Sequence, residues 1–181
     1  MLEEALDCFN KSIEIDPNSY LPWNDKGQFL RNEGKVEEAI ECFNKAIAIN
    51  PTNNKPWYSK ASALASLQRY EEALECLDRQ IEKNPNSSYA WSDKASVLRG
   101  LGKSAESLAS CDKAIDINPN NYSAWITKSA VLLKLQRHME SIGCCDKAIQ
   151  MISKTYPTGA YKNALLHQLK DFCESIKEYR E

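Results

Sequence analysis

Residues 23–51 read WNDKGQFLRNEGKVEEAIECFNKAIAINP, and the rest of the chain is this unit written again. Trp23, Trp57, Trp91 and Trp125 recur at one constant spacing, and Pro17, Pro51, Pro85 and Pro119 recur at the same one. Two independent markers with one period define an internal repeat. Weaker positions keep step: Lys26, Lys60, Lys94 and Lys128; the small residues Gly27, Ala61, Ala95 and Ser129; then Leu30, Leu64, Leu98 and Leu132. Further on, Ala5, Ala39, Ala73, Ser107, Ser141 and Ser175 are small, and Phe9, Phe43, Leu77, Cys111, Cys145 and Tyr179 are larger.

Each unit holds two amphipathic stretches. In the first unit, Pro22 falls in an opening turn where its missing N–H costs nothing, and Trp23, Lys26, Gly27 and Leu30 share one face. NEGK turns the chain, and VEEAIECFNKAIAI forms a second helix whose leading glutamates suit the positive helix end. The spacing therefore predicts an A helix at 20–33, 54–67, 88–101 and 122–135, and a B helix at 36–49, 70–83, 104–117 and 138–151.

Trp, a small residue, Leu or Tyr, then Ala, a large apolar residue, Ala and Pro, at a period of 34, resembles the tetratricopeptide repeat. The resemblance runs over essentially the whole chain and implies an all-α fold, an α-solenoid of antiparallel helix pairs wound as a right-handed superhelix. The expected division is 1–19, helix B of a truncated leading repeat; whole repeats at 20–53, 54–87, 88–121 and 122–155; and 156–181, a degenerate repeat or capping helices. For the tail, a helix pair is the main reading and one long helix the alternative, because no Gly or Pro follows Gly159. The second and fourth turns, LQRY and LQRH, lack glycine, and Gln80 stands where a small residue is expected, predicting a looser joint.

Composition is that of an ordinary soluble protein, with 43% hydrophobic and 27% charged residues and a formal net charge of −2. No apolar run nears the ~18 residues that span a bilayer, so no membrane partner is expected. The start, MLEEALD, carries acids where a secretory signal carries positive charge, which makes a cytoplasmic protein the expectation. Seven cysteines fall mostly into two repeat slots: Cys8, Cys42, Cys76 and Cys144 in one, Cys111 and Cys145 in the next. That pattern reads as packing, with neither disulfides nor a metal implied, and His138 and His167 have no zinc-site spacing to Cys. Without a phosphate loop or a nucleophile beside a base, the sequence predicts no catalysis and no cofactor.

Charge divides between the two layers. The A helices hold three acids (Asp25, Glu33, Asp93) against eight Lys or Arg, and the B helices, with residues 2–15 included, hold seventeen acids against six. The family resemblance implies that A helices line a concave groove for a partner segment. Carried over by position, the groove residues are Leu21, Asn24, Gln28, Arg31, Lys55, Tyr58, Ser62, Tyr89, Ser92, Arg99, Ile126, Leu133 and Lys134. They are basic and hydroxyl-rich with an apolar end, which fits an acidic segment of another protein. Some members of the family clamp the C-terminal carboxylate of Hsp70 and Hsp90 with Lys and Asn from one A helix, Asn from the next, and Lys and Arg from the third. One frame here holds Asn24, Gln28, Ser59, Tyr89 and Asp93, and the other Tyr58, Ser62, Asp93, Ser123 and Thr127, so those tails are not the expected ligand. Four scattered cations do not track phosphates, and nucleic acid is not expected either. The alternative to a binding scaffold is self-assembly into a homo-oligomer through Leu2, Leu6, Phe9 and Ile13, uncovered if no A helix precedes them, or a role as a fragment of a larger protein.

Overall fold

The computed structural model describes residues 2–155 and 160–178. Among them are ten helices and no strand: α1 (Leu2–Ile15), α2 (Tyr20–Asn32), α3 (Val36–Ile49), α4 (Asn54–Ser66), α5 (Tyr70–Lys83), α6 (Ser88–Gly100), α7 (Ser104–Ile117), α8 (Tyr122–Lys134), α9 (His138–Thr155) and α10 (Ala160–Glu178). The chain forms two compact units, 1–83 and 84–181. In the first, α1 packs on α2, α2 pairs with α3, α4 pairs with α5, and α4 lies against both α3 and α2. In the second, α6 pairs with α7 and α8 with α9, α8 lies against α7 and α6, and α10 closes on α9.

The repeated letters have local causes. Every B helix that ends in Asp-Pro or Asn-Pro stops in an Asx turn: the side-chain oxygens of Asp16, Asn50, Asn84 and Asn118 each accept the backbone N–H two residues on, at 3.1–3.3 Å. Asn53, Ser87 and Asn121 then cap α4, α6 and α8. Between A and B helices the chain reverses through one left-handed residue, Gly34 (φ 81°) and Gly102 (φ 75°) in two turns, Gln68 (φ 59°) and Gln136 (φ 58°) in the glycine-free ones. Gln68 and Gln136 thus take a conformation that costs a side-chain-bearing residue about 1 kcal/mol or more.

Helices of a pair approach closely where small residues face each other. A Cβ built on Gly27 would sit 2.6 Å from Phe43 Cε1 and 3.1 Å from the Ala39 carbonyl oxygen. Phe43 is fully buried there, beside Leu30 and Ala39. Elsewhere Leu77, Cys111 and Cys145 fill the Phe43 slot, also buried, opposite Ala61, Ala95 and Ser129. In the α8–α9 pair the gap is bridged by hydroxyls: Ser129 Oγ donates to the Ser141 carbonyl (3.0 Å) and Ser141 Oγ to the Ser129 carbonyl (2.9 Å).

The structure differs from the sequence expectations in several places. The tail is one helix over Ala160–Glu178, not a pair; Pro157, Gly159 and Tyr179, and the side chain of Leu2, lie outside the described residues. α9 runs past the expected end at 151 to Thr155, because no closing proline stops it and Ile152 is buried against Ala148 and Leu169. Cys8 is exposed although Cys42, Cys76 and Cys144, at the same repeat position, are buried. Gln80 is 7% exposed, and its amide nitrogen finds no partner among the described residues.

Candidate functional site: the A-helix faces and the helix-B flank

Most of the expected groove residues fall on two kinds of surface. Within 1–83, Leu21, Lys55, Tyr58 and Ser62 are exposed and Gln28 and Arg31 half-buried. Arg31 Nη1 donates to Ser62 Oγ at 3.2 Å and Gln28 Nε2 to Ser59 Oγ at 3.5 Å, so α2 and α4 are cross-linked along this face. Within 84–181, Tyr89, Arg99 and Lys134 are exposed, and Leu133 is half-buried. Among the described residues the exposed aromatics are these two tyrosines, Tyr58 at 45% exposure and Tyr89 at 68%.

Three expected groove residues are placed otherwise. Asn24 is fully buried, its Oδ1 accepting from Ser59 Oγ at 3.4 Å, and Ser92 is 1% exposed. Both immediately follow the repeat tryptophan on their helices, on the side that meets the next A helix. Ile126, one repeat on from Ser92, packs into the cluster of Ala148, Ile152 and Leu169 beside Leu166, so α10 contributes to its cover. The face is also less basic than the sequence implied, because Asp25 pairs with Lys55 at 3.7 Å. That pairing follows from the repeat: Asp25 is one turn beyond Leu21, and the next helix brings the residue equivalent to Leu21, Lys55, alongside.

On α1, Leu6, Phe9 and Ile13 are half-buried, not open. Phe9 meets Phe29 with ring centroids 5.7 Å apart, and Lys26 donates to Asn10 at 2.7 Å. Next to them on that helix Cys8, Ser12 and Ile15 are exposed, Ile15 at 84%.

The acids of the B helices are organised by the turn before them. Arg69 holds Glu72 through Nε and Nη2 at 2.6 and 2.7 Å, and Arg137 holds Glu140 in the same way at 2.6 and 2.7 Å. Lys35–Glu38 and Lys103–Glu106 are the looser lysine versions at 3.4 and 3.8 Å. The hydrogen bond from each arginine keeps Glu72 and Glu140 below the ordinary carboxylate range. Burial instead raises the thiols of Cys42, Cys76 and Cys144, and pushes Cys111 up to about 12. These are thiols kept protonated by an apolar setting, the reverse of an activated nucleophile.

Sequence reasoning missed the flank between A and B helices. Lys26, Lys94 and Lys128 sit over the rings of Trp23, Trp91 and Trp125, the residue three before each, at 5.8, 5.5 and 5.8 Å. Over Trp57 the ring is covered by Arg79 of α5, at 4.6 Å, and not by Lys60. The signal was present in the one-repeat step from Lys45 to Arg79, but only a fold that sets α5 beside Trp57 gives it meaning.

Paired helices joined by tight turns and packed serially define a helical-repeat protein. Models of the tetratricopeptide repeat match residues 30–96 and 8–41. Residues 8–96 thus carry tetratricopeptide repeats, and the fold is an all-α solenoid of the kind the repeat period announced. A model of the protein prenyltransferase alpha subunit repeat matches residues 104–135. No curated protein matches the sequence. Among solved structures, MamA from Desulfovibrio magneticus RS-1, residues 41 to the end, is 20% identical over 84% of this chain and 86% of its own, with a TM-score of 0.74. YrrB, described as a TPR protein with an unusual peptide-binding site, is 23% identical over 83% of this chain and 77% of its own, with a TM-score of 0.67. The Cut9–Hcn1 hetero-tetramer of the APC/C is 13% identical, covering 85% of this chain and 30% of the other, with a TM-score of 0.76. At these identities the likeness is one of fold. No helix among the described residues is long and apolar enough to cross a membrane, and no group of His, Cys, Asp and Glu among them could hold a metal ion.

Proposed function

We propose that this protein is a non-catalytic interaction scaffold whose exposed A-helix faces hold a segment of a partner protein that carries carboxylates. The observation that supports it is the exposure of Tyr58 and Tyr89 on A helices whose layer also carries cationic side chains: Arg31 and Lys55 on the first unit, Arg99 and Lys134 on the second. Exposed aromatics and arginines are the residues that dominate protein interfaces, and arginine forks match carboxylates. The peptide-binding description of YrrB, a protein of the same fold, agrees with this reading. The test is capture of partners from a native lysate by the wild type and by Arg31→Glu and Arg99→Glu variants. A partner kept by the wild type and lost with either charge reversal supports the reading, and retention by both variants overturns it.

A second reading is self-association through α1, favoured by the exposure of Cys8 and of Ile15. Sedimentation of the purified chain tests it, with Ile15→Lys as the variant. A multimer that persists in that variant removes this face from consideration.

A further inference from the structure

We infer a second, oppositely charged docking site on the α4–α5 flank, built to take arginine side chains of a basic segment of a partner protein. A cavity of about 500 Å³ opens there, lined by Trp57, Lys60, Glu72, Glu75, Arg79 and Glu82 among others. Its floor is the half-buried Trp57 ring, held in place by the indole N–H donating to the Pro51 carbonyl at 3.2 Å. A guanidinium already lies on that ring, with Arg79 Cζ 4.6 Å from the centroid. The site thus contains its own demonstration that a planar cation fits the indole face, a stacking for which arginine is better suited than lysine.

Comparison with the equivalent flank one repeat earlier isolates what is special. That cavity is about 260 Å³ and is lined by Trp23, Lys26, Glu38, Glu41 and Lys45, with two carboxylates balanced by two lysines. At Trp57 the step of one repeat replaces Ala48 with Glu82 and Asn44 with Asp78. Glu72 is taken up by Arg69 (2.6 Å), while Glu75 and Glu82 are exposed on the wall of the larger cavity. Lys60 shares the cavity wall and acts electrostatically on Glu72 and Cys76. The result is an aromatic platform beside carboxylates in excess of cations, which is the complement of an arginine-bearing segment. An incoming guanidinium competes with Arg79 for the ring and pairs with Glu75 or Glu82.

The experiment titrates the full chain with a capped peptide of repeated Arg-Ser-Ser, and with the same peptide carrying Lys for Arg, at low and moderate salt. The readout is the indole N–H resonance of Trp57, with that of Trp125 as reference. The expected result is a shift at Trp57 and not at Trp125, tighter binding of the Arg peptide, and binding about tenfold weaker in Glu75→Gln, Glu82→Gln. Arg79→Ala, which empties the ring, binds several-fold more tightly. Equal loss in a Glu106→Gln, Asp116→Gln control on the second unit, or no shift at Trp57, overturns the site. Either failure leaves the A-helix faces untouched, because their test uses other residues and a partner of opposite charge.

Discussion

The indole N–H of Trp91 donates to the carbonyl of Pro85 at 2.9 Å, and the same bond recurs from Trp125 to Pro119 at 3.0 Å and from Trp57 to Pro51 at 3.2 Å. The two markers that share a period in the sequence are therefore partners in space. The proline ends one B helix, and the tryptophan six residues on ties that end to the next A helix.

Trp91→Phe keeps an aromatic ring and removes the donor. A loss of about 1 kcal/mol is expected, from the lost hydrogen bond and a smaller half-buried ring. Urea denaturation checks it, and Trp125→Phe should behave alike.

Gly27→Ala forces a methyl group onto Phe43 and should destabilise the chain by about 1–3 kcal/mol. Adding Phe43→Leu reproduces the Ala61–Leu77 combination found in the next pair, and most of the loss should return. A double-mutant cycle in thermal unfolding measures the coupling; additive losses contradict the packing argument.

Gln68 and Gln136 stand at positive φ in turns where Gly34 and Gly102 serve elsewhere. Gln68→Gly removes the left-handed strain but frees the unfolded chain, for a net gain of about 0.5 kcal/mol. A fall in the midpoint of denaturation is the contrary result.

Arg137 hydrogen-bonds Glu140 and lowers its pKa. A depressed carboxyl contributes stability above its unfolded pKa, and that contribution fades as pH falls through the folded value. Arg137→Ala should return the Glu140 titration, followed by carboxyl NMR, to the ordinary range. It should also reduce the acid sensitivity of unfolding. Glu140 is at the surface, so the energy involved is small.

Cys8 is exposed, and Cys111 is fully buried with its thiol pushed up to about 12. Under native conditions near pH 8 an alkylating reagent should label Cys8 first and leave Cys111 until unfolding. Mass spectrometry of digests reads the order.

The fold was visible in the sequence because its determinants are local. Asn50-Pro51, the Gly34 turn and the Trp23–Gly27–Leu30 face act within a few residues of themselves, and α3, α5 and α7 begin and end where the period placed them. The tail was not visible in the same way: Leu169 and Ile176 kept the register of the repeat, yet one uninterrupted helix uses both, at 6% and 1% exposure.

Position along the repeat was thus legible from the letters alone: the period, the helix ends, the small residues where helices cross, and the separation of charge between the two layers. Which of those positions face solvent was settled by the packing of helices on one another. Asn24 and Ser92 follow their tryptophans as Tyr58 does, yet they are buried while Tyr58 is open, and Asp25 reaches across to Lys55. Arg79 reaches back from α5 to lie over Trp57 of α4, where the counterparts of that tryptophan are covered by the lysine one turn on. Exposure and pairing depend on the helix that arrives from elsewhere in the chain, a partner in the same repeat or the next one, and no local pattern carries that information.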